Sequence, residues 1–344
     1  MLSKVKDEQG IDISLLLNYL EEFLENFHGP ISLYKFPRGQ SNPTFRIDTP
    51  EQSLVLRRKP EGALLRSAHA VDREYRVMSA LADTEVPVPQ VYHLCTDNNI
   101  IGSWFYVMEY VEGSVFVDPA LPELSVTQRN RIYDEGNRVL AAIHSIDIEL
   151  SGLEDFGSAG NYYERQINRW TKQYRSSETQ VLESMEELIN WLSKNVPVDD
   201  GKISLIHGDF RLDNIIFDTQ SLEAIGVLDW ELSTLGHPIA DLAYLCMQRR
   251  MERDLVIPGL GKLNIAELGI PSEEDFLKQY CARTGFDEVG PWSFYLACSF
   301  FRLAAICQGV LKRAIDGNAS SAYGSELGSM VEPLARLGLK AAQN

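Results

Sequence analysis

A chain of 344 residues is too long for one small core and is expected to form two lobes or domains. Its net charge of −17 argues against a nucleic-acid partner or an anionic membrane surface, while 44% hydrophobic and 24% charged residues form an ordinary globular balance. Five scattered cysteines without a C-x-x-C pair, no apolar signal region after Met1, and no apolar run approaching a bilayer-spanning length lead us to expect a reducing, cytoplasmic setting without membrane contact.

In chain order, Leu15, Leu16, Tyr19, Leu20, Phe23, Leu24 and Phe27 recur at helical spacing until Gly29-Pro30, which predicts a packing helix. Arg38 to Ile47 is a small polar turn between β-like segments. Ser41 and Asn42 in it are candidates to approach nucleotide phosphates, although a single glycine does not make a G-x-G-x-x-G loop. Leu54-Val55-Leu56-Arg57-Arg58-Lys59-Pro60 reads as a strand ended by proline, and alternation puts Val55, Arg57 and Lys59 on one face. Protein kinases carry V-A-I-K on such a strand. Aligning Val55 with its Ala places Arg57 at the phosphate-binding Lys, with Lys59 as the alternative on the same face.

A helix over 70–82 follows, its apolar face formed by Val71, Tyr75, Met78 and Leu81. Glu74 lies beside that face and is placed to pair with the basic strand residue. Pro87-Val88-Pro89 opens an edge strand, and Trp104 to Gly113 is an apolar strand ending at glycine. Backbone groups at Glu109, Tyr110 and Val111 are candidates to bond an adenine edge.

Beyond residue 113 helical spacing dominates. Ile132, Gly136, Val139 and Ile143 share one face, followed by His144, which reads as a core or capping histidine. Tyr163, Ile167, Trp170 and Tyr174 form another stripe. Arg165, Arg169 and Lys172 fall at i, i+4 and i+7 on a single face; with Trp170 and Tyr174 they are candidate walls of an acceptor site. Val181, Met185, Leu188 and Leu192 continue a further helix up to Pro197.

Leu205-Ile206 and Ile215-Ile216-Phe217 then flank a polar core containing His207, Asp209, Arg211, Asp213 and Asn214. The pattern H-x-D-x-x-x-x-N is the spacing of the kinase catalytic loop, in which the Asp takes a hydroxyl proton and the Asn holds magnesium. Alone it is a weak signal, because loop Asp and Asn are commonly turn formers. A polar turn over 218–223 and the apolar run Ile225-Gly226-Val227-Leu228 predict a hairpin that carries Asp229 back toward Asn214. An Asp and an Asn oxygen suit a hard cation that keeps waters and bridges phosphates. Farther on, Gly236-His237-Pro238 is a turn, Asp241 reads as a cap or first-turn acid, and Phe294, Cys298, Phe301 and Ala305 mark a late packing helix before a small polar tail from Gly317.

His207-Gly208-Asp209-Phe210-Arg211-Leu212-Asp213-Asn214 and Leu228-Asp229-Trp230-Glu231 make the chain resemble the aminoglycoside phosphotransferase-like kinases. It is similar in particular to the subgroup found alone in bacteria or fused to acyl-CoA dehydrogenases. The carriers are Gly39 to Thr44, Val55 to Pro60, Ser67 to Tyr75, Arg169 to Tyr174 and Trp230 to Pro238, within a resemblance covering about residues 35–285. The resemblance implies an α+β, protein-kinase-like two-lobed fold: an antiparallel-sheet N-lobe over 1–107, a hinge over 108–113, and a mainly helical C-lobe over 114–344 that includes the hairpin and acceptor-site helices at about 160–196. It implies ATP (or GTP) with Mg2+ and a small-molecule hydroxyl acceptor. Asp209 is then the base, with His207 and Arg211 in the same catalytic loop, and Asn214 and Asp229 are metal ligands. Arg57 or Lys59 meets the phosphates, and Glu231 and His237 join the acceptor candidates. Many aminoglycoside-type members carry an acidic residue where this chain has His237, which argues against a polycationic acceptor. The fused relatives point to a hydroxyacyl-CoA or a hydroxy acid. An aminoglycoside- or choline-type phosphotransferase, a non-catalytic nucleotide-binding module and a metal-dependent hydrolase are the alternatives; the oligomeric state is left open.

Overall fold

The computed structural model describes residues 3–4, 11–36, 42–60, 70–158, 160–317 and 321–343. In chain order its elements begin with β1 (Ser3–Lys4), α1 (Ile13–Phe23), β2 (Ser32–Lys35), β3 (Thr44–Asp48), β4 (Ser53–Arg58), α2 (Val71–Leu81), β5 (Val91–Cys95), α3 (Asn98–Ile101) and β6 (Phe105–Glu109). There follow α4 (Val126–His144), α5 (Tyr162–Ser177), α6 (Glu183–Lys194), β7 (Ser204–Ile206), β8 (Ile215–Phe217), β9 (Ala224–Val227) and β10 (Thr234–Gly236). The chain ends with α7 (Ile239–Met247), α8 (Ile265–Leu268), α9 (Glu273–Thr284), α10 (Trp292–Ile315), α11 (Ser321–Gly328) and α12 (Val331–Ala342).

One compact unit comprises residues 1–114 and 215–233. Its antiparallel sheet has the order β1-β2-β3-β4-β6-β5, so the segment after Pro87-Val88-Pro89 does form an edge strand. Leu54 and Leu56 of β4 join Leu16 and Leu20 of α1, Phe45, Ile47, Phe105 and Val107 in one buried cluster. Each large apolar side chain buried there is worth about 1.5–3 kcal/mol relative to exposure. Asp12 caps α1 by accepting from the Ser14 and Leu15 amides at 2.9 and 3.0 Å. With Leu54 and Leu56 committed to that cluster, strand alternation turns Arg57 to the other face, opposite Thr44 and Tyr106 in register. The β8–β9 hairpin pairs Ile215 with Val227 and exchanges two 2.8 Å backbone bonds between Phe217 and Ser114. By its contacts this hairpin packs with the sheet-bearing unit, whereas the expected boundary at 114 counted it with the helices.

The second unit comprises residues 115–214 and 234–344. A capping box starts α4, with Ser125 and Gln128 satisfying each other's backbone N–H groups. The expected stripes of α4, α5, α6 and α10 are buried, except that Val181 lies before α6 and is exposed. Trp170 and Tyr174, expected to wall an acceptor site, are 5% and 0% exposed; they are core residues of α5, because the helical stripe that holds them is the one packed inward. The tail after Gly317 is not simply polar. It forms α11 and α12, and Val331, Leu334, Ala335 and Ala341 of α12 are buried. Also contrary to expectation, α10 is long and apolar enough to cross a membrane by length and composition; 72% of that window is buried inside the unit, where it serves as the central packing helix.

Candidate active site

In the sheet-bearing unit, Arg57 is a cation ringed by carboxylates. Its Nε lies 3.0 Å from Glu74 Oε2 on α2, its guanidinium pairs with Asp229, and Glu231 stands 4.0 Å away. Asn42 donates to Glu74 at 2.7 Å and to Glu231 at 3.3 Å, and the Tyr106 hydroxyl donates to Glu74 at 3.1 Å. Three acids thus face one base. Burial, then the charges of Asp229 and Glu231, raise the Glu74 carboxyl to about 7, against the opposing pull of Arg57.

Several of the residues singled out in the sequence lie in or beside this cluster. Arg57, not Lys59, meets Glu74 and Asp229; Lys59 pairs with Asp72 at 3.3 Å and sits 4.1 Å from the Trp104 ring centroid. The Asn42 side chain is fully buried against Glu74, so it braces the acid instead of reaching outward. Glu231 stands beside Arg57 and Asn42, with its side chain 17% exposed. The Glu109 amide donates to the Gln90 carbonyl at 2.8 Å; Tyr110 lies 5.3 Å from the Arg46 guanidinium, and Val111 is half-buried. Ser41 lies outside the described residues. Asp229 adopts a left-handed backbone, φ 68° and ψ 53°, a conformation that non-glycine residues seldom hold without local constraint.

In the helical unit, the ribbon of β7 and β10 leads into the loop 207–214. Asp241 of α7 holds that loop. Its fully buried carboxylate accepts the His207 amide at 2.6 Å and the Gly208 amide at 2.9 Å. His144 stands 3.4 Å behind it and bonds the Tyr280 hydroxyl at 2.6 Å, the satisfied core histidine that its position suggested. Burial pushes the Asp241 carboxyl up, but the hydrogen bond with His144 and the Gly208 amide help to outweigh it and hold it below the usual range. Its stabilisation is therefore present above the ordinary carboxylate pKa and lost as pH falls through the depressed folded value. Asp241→Ala is expected to cost about 3 kcal/mol or more by leaving buried donors unsatisfied. Urea titrations should show this loss near neutrality and a flatter acid limb than wild type.

His207 is fully buried, and its Nδ1 accepts the Asp209 amide at 3.1 Å. It orients the loop; the expected direct catalytic part does not fit a ring so enclosed. Asn214 donates its amide to the Asp209 carbonyl at 2.8 Å and to Asp209 Oδ2 at 3.1 Å. Those acceptors fix the amide orientation and leave the Asn214 carbonyl oxygen as a hard donor. Arg211 lies 3.5 Å from Asp209 and 3.0 Å from Asp213. Tyr244 of α7 hydrogen-bonds Asp209; burial and then the Asp209 charge push its phenol up. Arg302 of α10 donates to the Gly208 carbonyl. Asp209 is therefore a braced carboxylate whose side chain keeps 21% exposure, the arrangement a general base needs.

Among the described residues no three His, Cys, Asp or Glu side chains gather as a closed metal site. The Asn214 side-chain carbonyl in the helical unit and the Asp229 carboxylate in the sheet-bearing unit are each hard oxygen donors. Of the α5 candidates, Arg165 donates to the Ser158 carbonyl at 2.6 Å, while Arg169 and Lys172 are exposed. His237 is buried between Tyr163 and Tyr295, its centroid 5.3 and 5.5 Å from theirs, and its Nε2 lies 3.3 Å from Asp200. Burial lowers its pKa against the pull of Asp200, and it lines a cavity of about 230 Å³ together with Tyr162, Val198 and Lys202. The sequence reading had missed Tyr244 and Arg302, and had seen Asp241 only as a first-turn acid.

Residues 33–289 match the model of the phosphotransferase enzyme family. Acyl-CoA dehydrogenase family member 10 of Mus musculus is 46% identical over 97% of this chain, and Acyl-CoA dehydrogenase family member 11 of Homo sapiens is 40% identical over 98%. The chain spans only 31% and 44% of those two proteins. A crystal structure from Ralstonia eutropha JMP134, provisionally assigned as an aminoglycoside phosphotransferase, is 46% identical with a TM-score of 0.87, over 96% of this chain and 98% of its own. An aminoglycoside phosphotransferase in ternary complex with ADP and hygromycin B is 15% identical over 95% of this chain and 98% of its own; its TM-score of 0.61 shows a shared fold. On these matches, and with a kinase-like fold, the chain belongs to the phosphotransferase enzyme family.

Proposed function

We propose that this chain is an ATP- and magnesium-dependent kinase that transfers the γ-phosphoryl group to an alcohol of a small molecule, with a hydroxyacyl-CoA or a hydroxy acid as acceptor. The observation that carries the reading is Asp209, held by Asn214, Tyr244 and the Asp241-anchored loop in the family's catalytic sequence. Asp209 orients the acceptor hydroxyl and takes its proton. Arg57, positioned by Glu74, contacts the nucleotide phosphates, and Asn214 and Asp229 hold magnesium. Magnesium supplies neutralisation of the charge that develops on the transferred group. The hydroxyacyl assignment draws on the relatives whose names carry acyl-CoA dehydrogenase, and His237 in place of an acid favours it over a polycation. A cytoplasmic setting without a nucleic-acid partner accords with five free cysteines and the net charge. Steady-state kinetics with ATP and GTP over 3-hydroxyacyl-CoA compounds, hydroxy acids, choline and aminoglycosides test it. The reading requires the highest kcat/KM among the hydroxyacyl compounds or hydroxy acids; preference for an aminoglycoside or choline refutes that acceptor class.

A further inference from the structure

Arg169 and Arg302 approach one indole ring. Their guanidinium carbons lie 5.4 and 5.5 Å from the Trp170 centroid, and Arg302 lies 5.1 Å from the Tyr244 ring as well. Arg57, Arg175, Arg250 and Arg283 each meet a carboxylate, yet among the described residues neither Arg169 nor Arg302 has one within ion-pair distance. This occurs in a chain with 49 acidic and 32 basic residues, where acidic partners are abundant. The Arg302 Nε–H is buried without an acceptor, while the other end of its guanidinium donates to the Gly208 carbonyl. Two like charges beside one ring repel, and a single indole offsets that only partly.

We infer that Arg169 and Arg302 form an anion subsite that binds a carboxylate or phosphate of the acceptor beside Trp170. The inference rests on the kinase reading and adds a charge requirement to it. Guanidinium forks match both anions, and an anion between two arginines removes their repulsion. Arg302 contacts the residue immediately before Asp209, so an anion on it stands close to the reacting hydroxyl. A hydroxy acid places its carboxylate a few bonds from its hydroxyl. In a CoA thioester the phosphates sit at the end of a flexible arm.

The test is calorimetric titration of the intact chain with 3-hydroxybutyrate, 3-hydroxybutyramide and 3-hydroxybutyryl-CoA, in wild type, Arg169→Gln and Arg302→Gln. Wild type is expected to bind at least one anionic probe at least tenfold more tightly than the amide, roughly the worth of one charge-assisted hydrogen bond. Either arginine variant should erase that advantage and leave amide binding unchanged. Discrimination of the free acid identifies a carboxylate; discrimination of the thioester alone identifies the CoA phosphates. Equal affinity for all three probes, or an anion preference that survives in Arg169→Gln, overturns the subsite. Because Arg169 is on the surface of α5, that variant is informative even if Arg302→Gln disturbs the loop. A separate MgATP titration reports on the kinase reading: a wild type that ignores MgATP refutes that reading, while the anion preference is judged on the three probes.

Discussion

Asp209→Asn is expected to cut phosphoryl transfer about a hundredfold or more, the usual scale for loss of a general base. Nucleotide affinity should stay near wild type. The substitution is isosteric, and the Asn214 amide, the His207 ring and the Asp241 anchor still define the loop around it. An amide cannot accept the acceptor's proton, however well it is placed. Asp209→Ala should lose as much activity and also loosen the loop, because Asn214 and Tyr244 then lack the carboxylate they bond. Initial rates at saturating MgATP, with thermal unfolding of each variant, separate these effects. Wild-type turnover in Asp209→Asn excludes this residue as the base.

Asp229→Ala is expected to abolish the magnesium dependence of nucleotide binding, since water replaces a carboxylate ligand at much lower affinity. The electrostatics of the cluster sharpen the expectation. Glu74, raised to about 7 by burial and by the charges of Asp229 and Glu231, is partly protonated near neutrality. A divalent cation on Asp229 offsets one of those charges, so the Glu74 carboxyl falls and a proton leaves. Magnesium-dependent nucleotide binding at pH 7 should therefore release protons, and the release should vanish in Asp229→Ala. Calorimetry in two buffers of different ionisation enthalpy measures this directly. An unchanged magnesium effect in the variant rules out Asp229 as a ligand.

Much of this was legible because the relevant signals are local. The H-x-D-x-x-x-x-N loop, the hairpin to Asp229 and the amphipathic helix bearing Glu74 each lie within a few residues of their own periodicity cue. The missed features depend on long-range packing. Asp241 satisfies every local criterion for a first-turn acid, and only the fold shows that its carboxylate caps the backbone of a loop more than thirty residues earlier. Arg302 sits in the apolar pattern of α10 and looks like a polar interruption until its bond to Gly208 is seen. Asn42 and Glu231 are far apart in sequence yet share Arg57's cluster. Trp170 and Tyr174 lie on the α5 stripe expected from their spacing, and only the fold shows how deeply it is buried, because aromatic residues beside basic ones mark a core stripe as readily as a binding wall. The helix α12 was overlooked although Val331, Leu334 and Ala335 carry helical spacing, its small residues having read as a polar tail.

The most direct measurement of the central claim is the product itself. The chain is incubated with MgATP and the acceptor preferred in the kinetic panel, and the product is followed by phosphorus NMR correlated to the acceptor protons. The account predicts a phosphate monoester on the acceptor's alcohol oxygen, formed one-for-one with ADP and absent in Asp209→Asn. ADP formation that yields only inorganic phosphate, or phosphate found on a carboxyl or amine instead of the alcohol, would contradict it.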